Sequence, residues 1–169
     1  MANRLGKEGQ GLDVALGGFL MPSRISVGMS CVGLAERAQE LALDYAERRV
    51  TFGKKLSERQ AVQFMLAENA ADIEAAKQLV LHAARAFEAG GEDASMLWSM
   101  AKMTAVSMLT RVTDKALQVH GGLGYWKTSP IERVYRDARA QRFEEGTNEI
   151  QKTVVFRELL RRTARGGAR

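Results

Sequence analysis

The stretch Asp93–Val119, DASMLWSMAKMTAVSMLTRVTDKALQV, decides the fold class. Its apolar residues recur every three or four positions, which is the repeat of an α-helix that buries one face. The predicted stripe is Leu97, Ala101, Ala105, Met108, Val112, Ala116 and Val119. Flexible methionines suit the filling of gaps in a helical core better than a ligand role. The methionines in question are Met96, Met100, Met103 and Met108.

The preceding segment, from Ser57 to the glycine pair at 90 and 91, predicts a second long helix. Ser57 and Gln60 have the spacing of a capping box, in which two side chains bind free N–H groups at a helix start. The predicted buried stripe is Leu66, Ala70, Ile73, Ala76, Val80, Ala84 and Phe87. Both long helices are therefore expected to pack in a bundle.

Glycine and proline delimit further helices on either side. A short helical stretch is predicted over Leu12–Leu20, and Pro22, which suits a first helical turn, begins a long helix that ends near Arg49. Later in the chain, Ser129 and Pro130 begin a short helix that ends near Arg139. Thr147 is placed to cap a last helix that runs toward Arg162. The fold class is thus all-α, a four-helix up-and-down bundle with short extra helices.

Composition agrees with one compact helical domain. Of the 169 residues, 46% are hydrophobic, 27% charged, 7% aromatic and only two are proline, which excludes a disordered chain and disfavours a β-sandwich. The single cysteine, Cys31, excludes a disulfide within one chain. No uncharged run reaches about 18 residues, and the first eleven residues are too polar for a signal peptide. We expect a cytoplasmic protein, or a mitochondrial matrix protein in a eukaryote.

The net charge of +5 is concentrated at the C-terminus, where residues 157–169 contain five arginines and one glutamate. Such a scattered basic end is more typical of a solubilising tail than of a nucleic-acid arm. We therefore predict neither a nucleic-acid nor a membrane partner. His82 and His120, the two histidines, complete no Glu-x-x-His pair, so no metal site is predicted.

Four motifs stand at predicted helix ends or connections. Glycine pairs allow a ligand to approach the backbone closely, and free N–H groups at a helix start bind anionic oxygens, so the set suits a phosphate-bearing cofactor. The motifs are YAERRVTFG (Tyr45–Gly53), QVHGGLGY (Gln118–Tyr125), IERVYRDA (Ile131–Ala138) and EGTNEI (Glu145–Ile150).

In this order and spacing the motifs resemble the C-terminal helical domain of the flavin-dependent acyl-CoA dehydrogenases, from about Leu5 to Leu160. Residues 4–11 look like the family's exit from its middle β-domain, and Arg24 followed by Val32–Ala35 looks like its first long bundle helix. The family's N-terminal helical and middle β-barrel domains have no counterpart in the 169 residues. We expect residues 1–12 to be a linker from that β-domain, 13–162 the flavin-binding and catalytic bundle, and 163–169 a flexible basic tail.

The resemblance implies a reaction and a base. Glu145, directly before Gly-Thr, would remove the α-proton of an acyl-CoA while the β-hydrogen leaves as hydride to the flavin N5, giving the trans-2-enoyl-CoA. Without the motif, Glu145 would be interpreted as a solvated loop residue. Arg24 resembles the arginine that lies near this base, and Ser23 stands where some relatives carry an alternative base. Met21 stands where many relatives carry an aspartate for acyl-CoA binding, and the acyl group is not specified.

The resemblance also implies that FAD is bound across a subunit interface. The implied FAD-binding residues are Arg49, Phe52, Gln60, Gln118, Val119, His120, Gly121, Gly122, Thr147, Asn148 and Glu149. For Gln60 the capping box is an equally good explanation. A homodimer or homotetramer and an electron-transfer flavoprotein partner are expected. Arg133, Arg136 and Asp137 look like a structural ion-pair network.

Two other functions remain open at this stage. One is a related flavin oxidase or monooxygenase on the same scaffold, which the retained Glu145 disfavours. The other is a helical domain that only assembles or binds a partner when isolated from the family's other domains.

Overall fold

The structure is a computed structural model that describes residues 3–90 and 94–166. Six α-helices and one two-stranded hairpin are present in these ranges. They are α1 (Gly11–Ala15), α2 (Met21–Arg48), β1 (Val50–Thr51), β2 (Lys54–Lys55), α3 (Gln60–Glu88), α4 (Ala94–His120), α5 (Pro130–Ala140) and α6 (Asn148–Gly166). A π-helical turn, Leu16–Leu20, joins α1 to α2, and 3-10 turns occupy Leu56–Glu58 and Gly121–Tyr125. The predicted helix start at Asp93 lies outside the described residues.

The three long helices α2, α3 and α4 form the bundle, with α5 and α6 packed on α4. Helix α4 is central because it contacts every other helix from α2 to α6. The core lies between these helices and includes Leu109, Val112 and Val80, none of which is exposed. The predicted all-α bundle is confirmed.

The buried face of α3 differs in detail from the predicted stripe. Ala70 and Phe87 are exposed, and Ala84 is only partly buried. The buried residues follow alternating steps of four and three: Val62, Leu66, Asn69, Ile73, Ala76, Val80 and Ala83. This is the seven-residue repeat of helices that supercoil around each other, so the stripe stays on one face instead of drifting around the helix.

Small residues let α2 approach its neighbours closely. Ala35, Ala38 and Ala42 are completely buried on its inner face. A Cβ atom at Gly28 would lie 3.0 Å from Val80 Cγ2 on α3, so a larger residue there would push the two helices apart. Helices α2, α3 and α4 can therefore pack tightly over most of their length.

The connection between α2 and α3 is a short antiparallel hairpin, which the sequence did not predict. Val50 pairs with Lys55, and Thr51 with Lys54. The predicted capping box of Ser57 and Gln60 is wrong: no side chain caps α3, and Gln60 is its first residue. Instead the Glu58 carboxylate accepts a hydrogen bond from the Lys55 N–H at 3.0 Å. The hairpin and the 3-10 turn after it thus lead the chain into α3, whose start was predicted to carry a side-chain cap.

Other predicted helix limits are close to the observed ones, with three corrections. Ser129 precedes α5 as predicted, but its side chain makes no capping hydrogen bond. Helix α6 continues to Gly166, so the predicted tail is helical over its first four residues, and residues 167–169 lie outside the described part. Helix α1 likewise includes the last two residues of the predicted linker.

The charged face of α5 carries local ion pairs. Arg136 Nε lies 3.1 Å from Glu132 Oε1, and Arg133 Nε lies 3.6 Å from Asp137 Oδ2. Both pairs join residues one helical turn apart, and they support α5 by a few tenths of a kcal/mol each. Within the described residues, no helix is both long enough and apolar enough to cross a membrane.

The buried thiol of Cys31 makes the free energy of unfolding depend on pH in the alkaline range. Burial raises the pKa of its thiol to about 12, from 9.0. Between these values the unfolded chain releases the thiol proton while the folded chain retains it. The free energy of unfolding should therefore fall as pH rises above 9, by up to about 1.4 kcal/mol per pH unit.

Urea unfolding of the wild type and of Cys31→Ala at pH 8 and pH 10 measures this contribution. The two proteins share every other titrating group, so the stability of the wild type relative to the variant should decrease at pH 10. Parallel pH curves for the two proteins would contradict the assignment.

Candidate functional site

The loop between α5 and α6 holds Glu145 in an unusual backbone conformation. Glu145 has a φ of 52° and Gly146 a φ of 87°. A non-glycine residue in this left-handed region costs of order 1–3 kcal/mol and persists only where neighbouring groups enforce it. This turn is therefore a candidate for a functional geometry.

Two fully buried side chains hold the turn through its carbonyl groups. Gln151 Nε2 donates to Glu145 O at 2.9 Å and to Gly146 O at 3.1 Å. Lys102 Nζ, from the middle of α4, donates to Gly146 O at 2.8 Å. Neither Lys102 nor Gln151 has any exposed surface. Sequence reasoning selected neither residue.

Arg24, on α2, interacts electrostatically with Glu145. Its side chain is 5% exposed, and Nη1 donates to Ser99 Oγ at 2.9 Å. Burial lowers the pKa of Arg24, and attraction to the Glu145 carboxylate opposes this shift. One carboxylate oxygen of Glu145, Oε2, is buried and accepts no hydrogen bond from the described residues. A carboxylate with an unbound oxygen beside a buried cation can accept a proton from a substrate.

The first turn of α6 brings the next three predicted residues to the same place. Asn148 is 6% exposed, and its Nδ2 donates to Ser107 Oγ on α4 at 3.3 Å. Its Oδ1 is buried and without a partner. The backbone N–H of Glu149 and then the Thr147 hydroxyl bind the Glu149 carboxylate, and they lower its pKa. The residues Glu145, Thr147, Asn148 and Glu149 thus form one cluster with Arg24, called here the base cluster.

A second cluster lies around a cavity of about 460 Å³, within the size range of small-molecule sites. It is formed where the C-terminal end of α2 meets the C-terminal end of α4. The lining residues are Tyr45, Arg49, Thr51, Leu56, Val119, His120, Gly121, Gly122 and Leu123. We call this the α2–α4 cavity, and it contains five of the predicted cofactor residues.

The wall of the α2–α4 cavity is ordered by His120. Its ring stacks on Tyr45, with 4.5 Å between the ring centres. Nδ1 lies 2.8 Å from Ala116 O, and because a carbonyl only accepts, Nδ1 donates to it and leaves Nε2 as the other ring nitrogen. Gly121, with a φ of 59°, ends α4 and exposes backbone at the cavity. A Cβ atom at Gly124 would lie 2.9 Å from His120 Cβ, which explains glycine at that position.

Three predicted residues do not line the α2–α4 cavity or join the base cluster. Phe52 is 99% exposed at the tip of the hairpin, where the Arg59 guanidinium lies 5.9 Å from its ring centre. Gln60 and Gln118 are both exposed at helix ends. Within one chain, these side chains are free to contact something outside the bundle.

The two clusters lie at opposite ends of the bundle. Lys102 and His120 mark them on α4, and at 1.5 Å per residue they are about 27 Å apart along the helix. Arg24 and Arg49 are separated even further along α2, by about 37 Å. One small ligand group therefore cannot contact both clusters of the same chain.

The fold and these two sites define a helical domain with the partly buried base cluster at one end and the α2–α4 cavity, lined by Arg49, at the other. The family model described as the acyl-CoA dehydrogenase C-terminal domain matches residues 9–160. The chain therefore belongs to the acyl-CoA dehydrogenase family, as its motifs predict.

Relatives of known name extend this comparison. The chain is 42% identical over 162 residues to an acyl-CoA dehydrogenase of Bacillus subtilis, which covers 94% of the chain and 41% of that protein. It is 38% identical over 160 residues to the caffeyl-CoA reductase-Etf complex subunit CarC of Acetobacterium woodii, covering 95% of the chain and 42% of that protein. The solved butyryl-CoA dehydrogenase of Megasphaera elsdenii superimposes with a TM-score of 0.88 at 39% identity, covering 94% of the chain and 41% of that structure. The chain spans about two fifths of each relative's length.

The side chains that sequence reasoning missed are polar residues of the core. Lys102 lies between Ala101 and Ala105 on the buried face of α4, and Gln151 lies one turn into α6. The lysine in the apolar repeat of α4 could have indicated this residue in the sequence, since a buried lysine requires a hydrogen-bond partner. Within the described ranges, no group of three or more histidine, cysteine, aspartate or glutamate side chains could hold a metal ion.

Replacing Gly146 tests whether the turn is under strain. A Cβ atom there would lie 3.0 Å from Gln151 Nε2, on a backbone with a φ of 87°. Gly146→Ala should lower the free energy of unfolding by about 1–3 kcal/mol. Gly33→Ala is the matched control, because Gly33 is an exposed residue within α2 and its Cβ would contact nothing within 4 Å. The control should raise stability by up to about 1 kcal/mol, and equal effects of the two changes would contradict the strain.

Proposed function

We propose that this chain carries the catalytic base and part of the FAD-binding surface of an acyl-CoA dehydrogenase. The observation that carries the proposal is Glu145, whose buried Oε2 has no hydrogen-bond partner among the described residues and whose carboxylate interacts electrostatically with the buried Arg24. The α-hydrogen of a thioester is weakly acidic, so its removal needs a fixed carboxylate with an oxygen free to take the proton.

Glu145 would remove the α-proton of the acyl-CoA, so that the electrons of that bond form the new α,β double bond. Arg24 would contribute a fixed positive charge to this end of the bundle, since it is buried and interacts electrostatically with the Glu145 carboxylate. Bound FAD would accept the hydrogen of the β-carbon as a hydride and so complete the oxidation to the trans-2-enoyl-CoA. The Acetobacterium relative is named as a reductase, and in that direction the same carboxyl group would return the α-proton.

The α2–α4 cavity fits the anionic part of FAD. Arg49 offers a planar guanidinium that can bind two phosphate oxygens, and the Gly121–Gly122 backbone allows close approach. The stacked His120 ring adds a nitrogen, Nε2, that can accept a hydrogen bond. We propose that Arg49, Val119, His120, Gly121 and Gly122 hold the cofactor here.

The remaining cofactor residues would act at other places. Thr147, Asn148 and Glu149 stand with the base, and Asn148 Oδ1 is a buried acceptor without a partner. Phe52, Gln60 and Gln118 are exposed at the hairpin tip and at helix ends. They would contact FAD from the surface of the bundle, outside the α2–α4 cavity. Thus one chain offers two separate FAD-contacting surfaces.

This separation supports a homodimer or homotetramer. With about 27 Å between the surfaces along α4, the cavity would serve the FAD of a neighbouring subunit. Helix α6 also leaves apolar side chains exposed, including Phe156 at 63%, Ile150 at 52% and Leu160 at 56%. Exposed apolar patches of this kind are typical of interfaces. We further propose an electron-transfer flavoprotein partner, since the Acetobacterium relative is named as a subunit of an Etf complex.

Glu145→Gln tests the base. In the FAD-loaded full-length enzyme, with butyryl-CoA as the probe, turnover should fall by about 10²–10⁴-fold, the usual contribution of a general base. Bound FAD per chain should stay unchanged. Glu144→Gln, at the exposed neighbouring residue, is the matched control and should keep wild-type turnover. Normal turnover of Glu145→Gln would reject the proposed base.

Arg49→Met tests the cofactor surface. Loss of a charge-assisted hydrogen bond should weaken FAD binding by about 10- to 100-fold, measured by fluorescence titration and by flavin absorbance across a size-exclusion peak. Arg48→Met is the control, because Arg48 is exposed and pairs with Asp44 on its own helix. Equal FAD affinities of the two variants would reject Arg49 as a phosphate ligand.

A further inference from the structure

We infer that Lys102 and Gln151 are positioning residues, which act together as a buried clamp that sets the direction of the Glu145 carboxylate. This inference rests on the proposed role of Glu145 as the base. Neither side chain touches the carboxylate itself, and both act through the carbonyl groups of residues 145 and 146.

The clamp is defined by three hydrogen bonds from two helices. Gln151 reaches back from α6 to both carbonyls, at 2.9 Å and 3.1 Å. Lys102 reaches from α4 to Gly146 O at 2.8 Å. The two consecutive peptide groups are therefore fixed from two directions. Because the backbone at residues 145 and 146 is held in place, the direction in which the Glu145 side chain leaves the backbone is fixed as well.

The backbone conformation shows why a clamp is needed. Glu145 has a φ of 52°, which a glutamate rarely adopts unless surrounding contacts impose it. If the carbonyls were released, the turn could relax to an ordinary conformation. The side chain of Glu145 would then leave the direction in which its Oε2 is buried without a hydrogen-bond partner.

Burying the side chain of Lys102 costs free energy that a purely structural contact would not require. It is completely buried, and its one hydrogen bond to another described residue is the bond to Gly146 O. No carboxylate among the described residues lies within ion-pair distance of its Nζ. Burial lowers the pKa of Lys102, and this effect outweighs the opposing influence of Cys31, Glu144 and Glu149. An apolar residue would fill the same space without burying a charge, so the position of the turn is what the lysine provides.

Gln151 has a complementary limitation. Its amide nitrogen is used twice, whereas its Oε1 is buried and unpartnered. The side chain therefore faces the turn with its donors and satisfies two carbonyls at the expense of its own oxygen. This orientation is the expected one if the two carbonyls are the groups that must be held.

The clamp can be tested with Lys102→Met and Gln151→Leu, which keep the approximate volume and remove the donors. Lys115→Met and Gln78→Leu are matched controls, because these residues bind carboxylates at the surface of α4 and α3. Lys102→Arg retains a cationic donor at the first position. Each variant is compared in the FAD-loaded full-length enzyme with butyryl-CoA.

Both clamp variants should lower kcat by about 10- to 100-fold, the effect of misplacing a catalytic group by about 1 Å. KM and bound FAD should change less than twofold, and the two controls should behave as wild type. Lys102→Arg should recover most of the lost kcat. In the present chain, amide hydrogen exchange of residues 141–151 should become at least tenfold faster in both clamp variants, while α3 keeps its protection.

The outcomes that would reject the clamp differ from the one that would reject the proposed base. If Lys102→Met or Gln151→Leu folds with unchanged kcat, or if exchange in the turn stays slow, the clamp is rejected. If exchange rises uniformly over α3 and α4 in both variants, the residues are structural and the clamp is likewise rejected. Normal turnover of Glu145→Gln, by contrast, rejects the proposed base. A turn that loosens without any loss of kcat would reject the clamp while leaving the base intact.

Discussion

The structure depends on the burial of α4, the helix that every other helix from α2 to α6 contacts. Its inner faces are mostly apolar, but a few polar side chains are buried with them, and each must find a hydrogen-bond partner. Ser99 receives Arg24, Ser107 receives Asn148, and Lys102 binds Gly146. The partners that satisfy α4 are thus the parts of the base cluster. The need to pair these polar side chains on α4 therefore links the packing of the helices to the geometry of the site.

The same constraint acts at the far end of α4. His120 is buried as the last residue of the helix, and its Nδ1 is satisfied by the carbonyl one turn earlier. Tyr45 covers the ring from α2, and the glycines that follow leave the backbone open. A rigid helix of this length holds the two clusters about 27 Å apart. A domain built in this way holds the two clusters at opposite ends of the bundle, and the proposed assembly of several subunits rests on this separation.

Much of this could be predicted from the sequence because it is local. The period of three to four residues from Leu97 to Val119 is enough to predict α4, and Pro130 is enough to predict the start of α5. The expected role of Glu145 came from the resemblance of the EGTNEI motif to a family. Some of the predictions that were wrong concern choices between neighbours, such as Asn69 rather than Ala70 on the buried face of α3. Both residues fit a helical repeat, and only the supercoiled packing distinguishes them.

The sequence alone determined the helices, their order and the motifs at their ends, since these follow from propensities and spacing along the chain. Tertiary structure decided which groups meet. Arg24 and Ser99 are separated by 75 positions in the chain, and Lys102 and Gly146 by 44. Their contacts depend on how the helices cross, a sum of many weak packing contributions that no short segment contains. The clamp on the base and the separation of the two clusters therefore became visible only in the folded bundle.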